Sequence, residues 1–402
     1  MTDLDIQAVR SKFPALQEEQ VFLDNAGGSQ TLGVVIETIR DYLIKSNVQF
    51  GGGYKASQAS SSRYSDGVEA GAKFLNARKD EIAYGASTTQ LLRNLSFALP
   101  FQEGDEIIVS AIDHEANIAP WKDLAARLKL TIKWWRPLKL SPTNLKLVPE
   151  DLKGLLSTKT RLVTCTHASN VLGTIHDIKA IANAVHTVPN ALLCVDGVAY
   201  APHRPVDVRE LGVDFYVLSW YKVFGPHVAM LYGSRKAQEQ MASLGHFFNP
   251  HDTLEQKISL GSGYYELVAA IPPIVAYTGP PSTSSSEWTS VAAQESLLQS
   301  KLLTYLNAHP QITVYGEASA DAHLRLPVVS FQVGGWDSRE LVETLERTTP
   351  YGFRWGAFYS NTLVREYLKL GADGVVRVSM AHYNTVEEIE GFIEAIDKVI
   401  SK

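Results

Sequence analysis

Short apolar runs alternate with amphipathic stretches between residues 80 and 235, and this alternation constrains the fold more than any other feature of the sequence. The runs are apolar along their whole length, which is typical of parallel strands covered on both faces. Stretches with helical spacing separate several of them. We therefore predict an α/β domain built on a mostly parallel sheet. Its predicted strands are Glu81–Tyr84, Ile107–Ala111, Thr131–Trp135, Leu162–Thr166, Ala191–Asp196, Phe215–Ser219 and Val228–Tyr232.

A second pattern begins after Gly279–Glu287, a segment rich in proline, serine and glycine that has the composition of a loop. Helical and apolar stretches follow it, and Thr385 with Glu388 forms a capping-box signature at the start of a last amphipathic helix. We predict three parts: a segment at 1–20 that packs on the small domain, a large domain at 21–280, and a small α+β domain at 281–402.

Charge and composition argue against several classes of protein. The 402 residues carry a net charge of −6, whereas nucleic-acid-binding proteins usually carry a basic excess. Both cysteines, Cys165 and Cys194, lie inside apolar runs, which predicts buried reduced thiols and a cytoplasmic protein. We expect no membrane partner, because no signal-peptide or membrane-spanning pattern is visible. We expect no metal site either, because His114-Glu115 lacks the second histidine of a zinc motif.

The residues able to carry chemistry follow the predicted strands. Ligands of parallel α/β sheets bind beyond the carboxyl ends of the strands. Asp196 ends one buried run, and Lys222 follows the next. A lysine amine can form a Schiff base with the aldehyde of pyridoxal phosphate (PLP), and a carboxylate can keep the pyridine nitrogen protonated. A lone lysine is more often a solvated surface residue, but Lys222 stands between aromatic residues and before Gly225-Pro226. The pair therefore indicates a PLP site.

One segment, Ser219–Pro226, resembles the Ser-x-x-Lys-x-x-Gly-Pro motif of class V aminotransferases and cysteine desulfurases. Further segments resemble motifs of this family, in the family's order along nearly the whole chain: Phe22–Gln30, Asp113–Trp121, Ser169–Thr174, Asp196-Gly197 and Arg377–Thr385. The resemblance is to the desulfurase-like subgroup. It implies PLP fold-type I, with a mostly parallel seven-stranded sheet between helices, a smaller α+β C-terminal domain and a homodimer that shares its active sites.

The resemblance also implies a role for each matching residue. Lys222 would be the Schiff-base lysine, His114 would stack on the cofactor ring, and Asp196 would face the pyridine nitrogen. The other residues implied to contact the cofactor are Thr88, Thr89, Asn170, Ser219, Tyr221 and Ser262, the last reaching the phosphate bound by the partner subunit. Those implied to contact the substrate are Asn25, Tyr54, Asn170, Arg354, Tyr359 and Arg377, with Arg377 holding its α-carboxylate.

The sequence departs from the desulfurases at three positions. Tyr359 stands on the loop after Arg354, where those enzymes carry their nucleophilic cysteine. We therefore expect no protein persulfide by the family's route, since buried thiols such as Cys165 and Cys194 are poor nucleophiles. Tyr221 replaces a histidine before the lysine, and Ala199 replaces a glutamine near the ring oxygen.

These observations predict a PLP-dependent lyase or transferase that acts at Cα or Cβ of an amino acid, through an external aldimine and a carbanion. C–S or other β-elimination is the favoured outcome. C–C bond formation of the Mannich or aldol type, in specialised or alkaloid metabolism, is the first alternative. Transamination and a non-catalytic scaffold follow. Five aromatic residues are candidates to line a pocket for an apolar or cationic substrate: Tyr54, Trp220, Trp355, Phe358 and Tyr359.

Overall fold

The computed structural model describes residues 4–248, 252–261, 263–281 and 286–401. Within these residues the large sheet has seven strands, in the order Ile82–Gly85, Ala229–Gly233, Phe215–Ser219, Leu192–Asp196, Thr160–Thr166, Glu106–Ser110 and Thr131–Trp135. The last five strands of this order pair in parallel. Ala229–Gly233 runs antiparallel to both of its neighbours. The prediction of a mostly parallel seven-stranded sheet is confirmed.

Helices cover both faces of this sheet, which explains why its strands are apolar throughout. Successive residues of a strand point to opposite faces. Cys194 accordingly packs with the cluster that contains Leu95 and Trp121 on one side. Val195 packs with the cluster that contains Phe74 and Ile181 on the other. Each face therefore has its own hydrophobic core.

Helical segments lie before, between and after the strands of both sheets. The α-helices are Ile6–Arg10, Gly33–Lys45, Lys55–Phe74, Thr88–Ala98, Ala119–Leu128, Pro149–Lys153, Ile178–Val185, Val208–Leu211, Arg235–Glu239, Leu254–Ile258, Tyr265–Val268, Pro272–Thr278, Ser286–Ala308, Ser338–Thr348 and Val386–Ile400. Short 3₁₀ segments occur at Pro14–Gln17, Lys79–Glu81, Glu115–Asn117 and Trp220–Lys222, and a π-helical turn at Thr362–Tyr367. No helix of the described residues is long and apolar enough to cross a membrane.

A second, antiparallel sheet lies in the C-terminal part of the chain, in the order Ile312–Tyr315, Val328–Val333, Val375–Ser379 and Arg354–Gly356. Leucines of Ser286–Ala308 and apolar residues of Ser338–Thr348 and Val386–Ile400 pack on it. The predicted capping box is confirmed: Thr385 Oγ1 accepts from the Glu388 N–H at 3.1 Å, and Glu388 Oε2 accepts from the Thr385 N–H at 3.1 Å.

The segment after the first helix connects this second sheet to the large one. Val21–Phe22 pairs in parallel with the short strand Tyr351–Gly352, and Asp24 forms a bridge with Ser379. The loop that follows reaches the turn at Tyr221, whose carbonyl accepts from the Ser29 N–H at 3.1 Å. The chain therefore runs between the two sheets here. The hydrophobic core of the large sheet is separate from that of the second sheet. The domain boundaries predicted above stay a prediction.

Candidate active site

Lys222 and Asp196 meet at the carboxyl edge of the large sheet. Asp196 is the last residue of its strand and pairs with Val217 on the next parallel strand. That strand ends at Ser219, and the 3₁₀ turn Trp220–Lys222 follows immediately. The order of the strands therefore brings the predicted carboxylate and lysine to one place.

The turn around Lys222 has a backbone conformation and close contacts that few residue types can adopt. Phe224 has a left-handed φ of 59°, and the adjacent Gly225 packs so closely that a Cβ would lie 3.1 Å from the Trp220 carbonyl oxygen. Ser29 fixes the same turn, because its hydroxyl donates to the Tyr221 carbonyl at 3.2 Å and accepts from the Phe224 N–H at 2.8 Å. Ser29 belongs to the Phe22–Gln30 motif, but no role for it was predicted from the sequence.

The lysine amine is shifted towards its neutral form. Burial and the positive charge of Arg377 together lower the pKa of Lys222 to about 8, although the charges of Asp196 and Asp24 oppose the shift. Burial raises the pKa of Asp196, whose Oδ1 accepts from the Val198 N–H at 2.9 Å. Lys222 Nζ has no hydrogen bond or ion pair within the part of the chain that the structure describes. It is thus a reactive amine between an anionic and a cationic neighbour.

His114 lies on the opposite side of this site, after the strand Glu106–Ser110. Its Nδ1 accepts from the Ala116 N–H at 3.0 Å, so the proton of the neutral ring lies on Nε2. Burial, with the charges of Lys222 and Arg377, lowers the pKa of His114 to about 4. The ring is therefore neutral at pH 7, which suits stacking on an aromatic cofactor.

The loop Ala357–Ser360, here called the strap, crosses the site and carries Tyr359. The Tyr359 carbonyl accepts from the Glu115 N–H at 2.7 Å, and the Tyr359 ring lies 5.4 Å from the His114 ring, centroid to centroid. Phe358 and Tyr359 both have left-handed φ values, 51° and 56°. Two such residues in succession are uncommon outside glycine, so the strap must be fixed by specific contacts.

Asn170 provides those contacts. Its Nδ2 donates to the Phe358 carbonyl at 2.9 Å, and its Oδ1 accepts from the Ser360 hydroxyl at 2.9 Å. Asn170 therefore positions the strap in addition to standing at the predicted site. Phe358 and Ser360 are site residues that the sequence did not single out for this purpose.

Arg377 is the buried cation of the site. Its guanidinium donates to Asp24 Oδ1 at 2.6 Å and to the Asn170 carbonyl at 3.1 Å, and the Phe358 ring lies 3.7 Å from Cζ. Arg354 contacts the same carboxylate from the solvent side, at 3.7 Å from Asp24 Oδ2. Both predicted arginines are therefore brought together, around an aspartate for which no role was predicted.

The residues predicted to hold phosphate lie at the same sheet edge. Gly85 and Ser219 both pair with Ala229, so they are two strands apart, about 10 Å. The helix Thr88–Ala98 begins just after Gly85, with Ser87 accepting from the Gln90 N–H as its N-cap. Thr88 is buried and Thr89 is exposed at a helix N-terminus, where free N–H groups attract anions.

Tyr221 stacks on His227 with ring centroids 4.8 Å apart, and burial raises its pKa. Asn25 is buried and turned to the second sheet: its Nδ2 donates to the Ser379 carbonyl at 2.9 Å, and its Oδ1 accepts from the Tyr383 hydroxyl. Tyr54 is exposed at the start of the helix Lys55–Phe74. Ser262 lies outside the described residues.

Only part of the predicted aromatic pocket is present. Phe358 and Tyr359 belong to the strap, but Trp220 is fully buried and packs 5.0 Å from Phe74. Trp355 packs on the core of the second sheet and stacks with Arg339 at 5.6 Å. Trp220 is therefore a core residue, because its indole packs within the buried cluster that contains Phe74.

The side chains present fit PLP. An amine with a lowered pKa and no partner among the described residues can react with the aldehyde, Asp196 offers a buried carboxylate to the pyridine nitrogen, and His114 offers a neutral ring. Lys222 and Asp196 attract one another, as the opposing effect of Asp196 on the Lys222 pKa shows. The site can therefore hold the cofactor and place a base beside it.

The rate at which the cofactor-free protein takes up PLP should rise with pH with a midpoint near 8, not near the ordinary lysine value of 10.5. The neutral amine is the nucleophile, and a lowered pKa makes it available at lower pH. Stopped-flow absorbance measures the rate, and PLP with Nα-acetyl-lysine corrects for the titration of PLP itself. A midpoint above pH 10 would show that Lys222 is solvated.

Comparisons with known proteins found a matching family model, similar sequences and similar structures. The aminotransferase class-V family model matches residues 21–392. An aminotransferase-like protein of Gibberella zeae is 53% identical over 99% of both chains. A cysteine desulfurase-like protein of Aspergillus flavus is 40% identical over 99% of this chain and 91% of its own. A nonribosomal peptide synthetase-like enzyme of Aspergillus fumigatus is 42% identical, but this chain covers only 26% of it. The structure of an Escherichia coli cysteine desulfurase superposes with a TM-score of 0.84 at 24% identity, covering 99% of both chains.

Proposed function

This chain belongs to the class V aminotransferase family and is a PLP-dependent enzyme, and we propose that it cleaves a C–S or other β-substituent from an amino acid. The observation that carries the proposal is the presence in one site of Lys222, which can act as a base, and Arg377, which can bind a carboxylate. The strap beside them carries a tyrosine at the position where desulfurases carry cysteine.

Each side chain has a defined task in this proposal. When bound, PLP supplies an electron-withdrawing ring that stabilises negative charge at Cα. Arg377 orients the substrate by its carboxylate. Lys222 Nζ removes the proton at Cα, for which its pKa of about 8 is well suited. Asp196 would offer its carboxylate to the pyridine nitrogen, and His114 with the strap would cover one side of the cofactor.

The thiols do not support a persulfide mechanism. Cys165 and Cys194 are fully buried in strands of the large sheet, and burial raises the pKa of both. Tyr359, which is 69% exposed, occupies the strap instead. Sulfur leaving the substrate would therefore be released as a free thiol or sulfide, without transfer to the protein.

The test is release of pyruvate, ammonia and a sulfur product by the PLP-loaded protein: sulfide from cysteine, thiocysteine from cystine and thiol from S-alkyl cysteines. Equal amounts of the three products support β-elimination, since one C–S and one C–N bond are lost per turnover. The matched blank is Lys222→Ala. No pyruvate from any member of the series would rule out C–S cleavage, and none from O-acetylserine and β-chloroalanine as well would rule out β-elimination altogether.

Replacing both thiols should leave turnover within about twofold of the wild type, because neither is a nucleophile. The variant is Cys165→Ala with Cys194→Ala, and initial rates of thiol release measure the effect. A thermal melt in parallel detects any loss of packing. A loss of thiol release in a variant that melts like the wild type would restore a role for a cysteine.

C–C bond formation is the second candidate, because a cavity of about 450 Å³ adjoins the site and is lined by Asp24, Gly28 and Arg354. It has room for a second reactant beside the amino acid. The name of the Aspergillus fumigatus relative, a nonribosomal peptide synthetase-like enzyme, fits a biosynthetic role. Mass spectrometry of reactions supplied with an amino acid and an aldehyde would detect the joined product.

A further inference from the structure

Arg377 has an incomplete set of hydrogen bonds although it is almost fully buried. Its two terminal nitrogens donate to Asp24 Oδ1 and to the Asn170 carbonyl. Its Nε has no partner among the described residues, and the side chain is only 2% exposed. A buried N–H without a partner is costly, so this arginine is prepared for a further acceptor on its Nε edge.

Asp24 occupies the part of Arg377 that a bound carboxylate needs. A carboxylate pairs best with two adjacent N–H groups of a guanidinium. The terminal nitrogen that donates to Asp24 at 2.6 Å is thereby shared between this aspartate and any ligand. Asp24 is therefore a carboxylate of the protein in competition with the carboxylate of a substrate.

The backbone is adapted to hold Asp24 in this position. A Cβ at position 27 would lie 2.5 Å from Asp24 Oδ2, so only glycine leaves room for the carboxylate. The Asp24 carboxylate keeps access to solvent, since 24% of the side chain is exposed. It is not locked in a sealed core.

A second cation, Arg354, lies on the solvent side of Asp24. Arg354 Nη1 lies 3.7 Å from Asp24 Oδ2, which is too long for a hydrogen bond, and the Arg354 side chain is 57% exposed. Asp24, Arg354 and Glu346 line the cavity of about 450 Å³ described above. Asp24 Oδ2 therefore already faces Arg354, the cation onto which the carboxylate could move.

We propose that Asp24 is a displaceable internal carboxylate: it occupies Arg377 in the resting site and moves onto Arg354 when the carboxylate of an amino acid binds. Asp24 then sets the affinity of the site for carboxylates and rejects weakly held anions. The proposal rests on Arg377 as the carboxylate site of the proposed function. It adds a specificity-determining residue and gives Arg354 the role of receiving Asp24, in place of direct contact with substrate.

The experiment measures binding of propionate to the PLP-loaded protein by calorimetry, with propionamide as the uncharged control. Binding needs no turnover, so the outcome does not depend on the reaction that the enzyme catalyses. The variants are Asp24→Asn, Arg354→Gln and the double variant. Arg377→Gln serves as the site control and should abolish propionate binding.

Asp24→Asn should bind propionate about tenfold more tightly, since it removes a charge-assisted competitor. Arg354→Gln should weaken binding severalfold alone and have no effect in the Asp24→Asn background. Unchanged or weaker binding in Asp24→Asn would show that Asp24 only orients Arg377. An equal loss from Arg354→Gln in both backgrounds would show that Arg354 binds propionate itself. Either result overturns the exchange.

Failure of the proposed carboxylate site is a separate result. If Arg377→Gln binds propionate like the wild type, Arg377 is not the carboxylate site, and both proposals fall. If Asp24→Asn melts at a much lower temperature than the wild type, Asp24→Ser replaces it in both backgrounds, because it also removes the carboxylate that lies between Arg377 and Arg354. The same two comparisons then decide, and an unchanged propionate affinity in Arg354→Gln alone contradicts the exchange.

Discussion

Lys222→Ala is expected to lose the visible absorption of the PLP-loaded protein and to turn over substrate at least about 10³-fold more slowly than the wild type. The lysine is both the point of cofactor attachment and the base at Cα. Its side chain is half-buried, and its pKa is lowered from the ordinary 10.5 to about 8. Absorption spectra of purified protein with added PLP, followed by initial rates, measure both losses.

Lys179→Ala is the matched control, because Lys179 is exposed and pairs only with the surface residue Glu210 in the described structure. This variant should keep the wild-type spectrum and rate. A Lys222→Ala protein that keeps the colour and half of the rate would show that another amine binds the cofactor. The assignment of the active-site lysine would then be wrong.

The strands and the lysine–aspartate pair could be predicted because their signals are local. Fully apolar runs predict strands covered on both faces, and the residue after such a run lies at the sheet edge where ligands bind. Asp196 and Lys222 obey both rules: the structure places Asp196 at the end of one strand and Lys222 in the turn that follows the adjacent strand. The capping box at Thr385 is equally local, since all its atoms lie within four residues.

The Asp24 contacts could not be predicted, because they depend on distant parts of the chain. Asp24 meets Arg377 across 353 residues, and they are brought together by the bridge between Asp24 and Ser379 and by the pairing of Val21–Phe22 with Tyr351–Gly352. The resemblance covered Asp24 as part of a motif but assigned it no partner. A charged residue inside a matching motif was the one available signal.

The strap shows a second limit. Sequence comparison placed Tyr359 at the position of a nucleophile, but it could not show that Phe358 and Tyr359 take left-handed conformations. Those conformations depend on Asn170 and on the Glu115 N–H, which lie on other elements. The burial of Trp220 could not be predicted either, since a residue at a strand end can point into the core or into the site.

Asp196→Asn is expected to slow turnover by about 10²–10³-fold while raising the melting temperature of the cofactor-free protein. The first effect follows from the loss of the negative charge that faces the pyridine nitrogen. The second follows from burial, which raises the pKa of Asp196 above its value in the unfolded chain. The unfolded chain then ionises more readily than the folded one.

The sign of the stability effect depends on pH. Because the folded pKa of Asp196 is raised, this residue stabilises the fold only while it is protonated, and that contribution is lost as the pH rises through the folded pKa. The asparagine carries no such penalty. The gain in melting temperature should therefore be present at pH 7 and shrink as the pH falls below 4, where aspartate is protonated in both states.

Melting curves of wild-type and Asp196→Asn protein without PLP, at pH 7 and at the lowest pH that keeps the fold, test this. Asp196→Glu is the companion variant, because it keeps the charge and should recover part of the activity with no gain in melting temperature. A fall in melting temperature for Asp196→Asn at pH 7 would mean that the carboxylate stabilises the empty site. Its function would then be structural, because a residue kept for catalysis alone should cost stability when it is buried and charged.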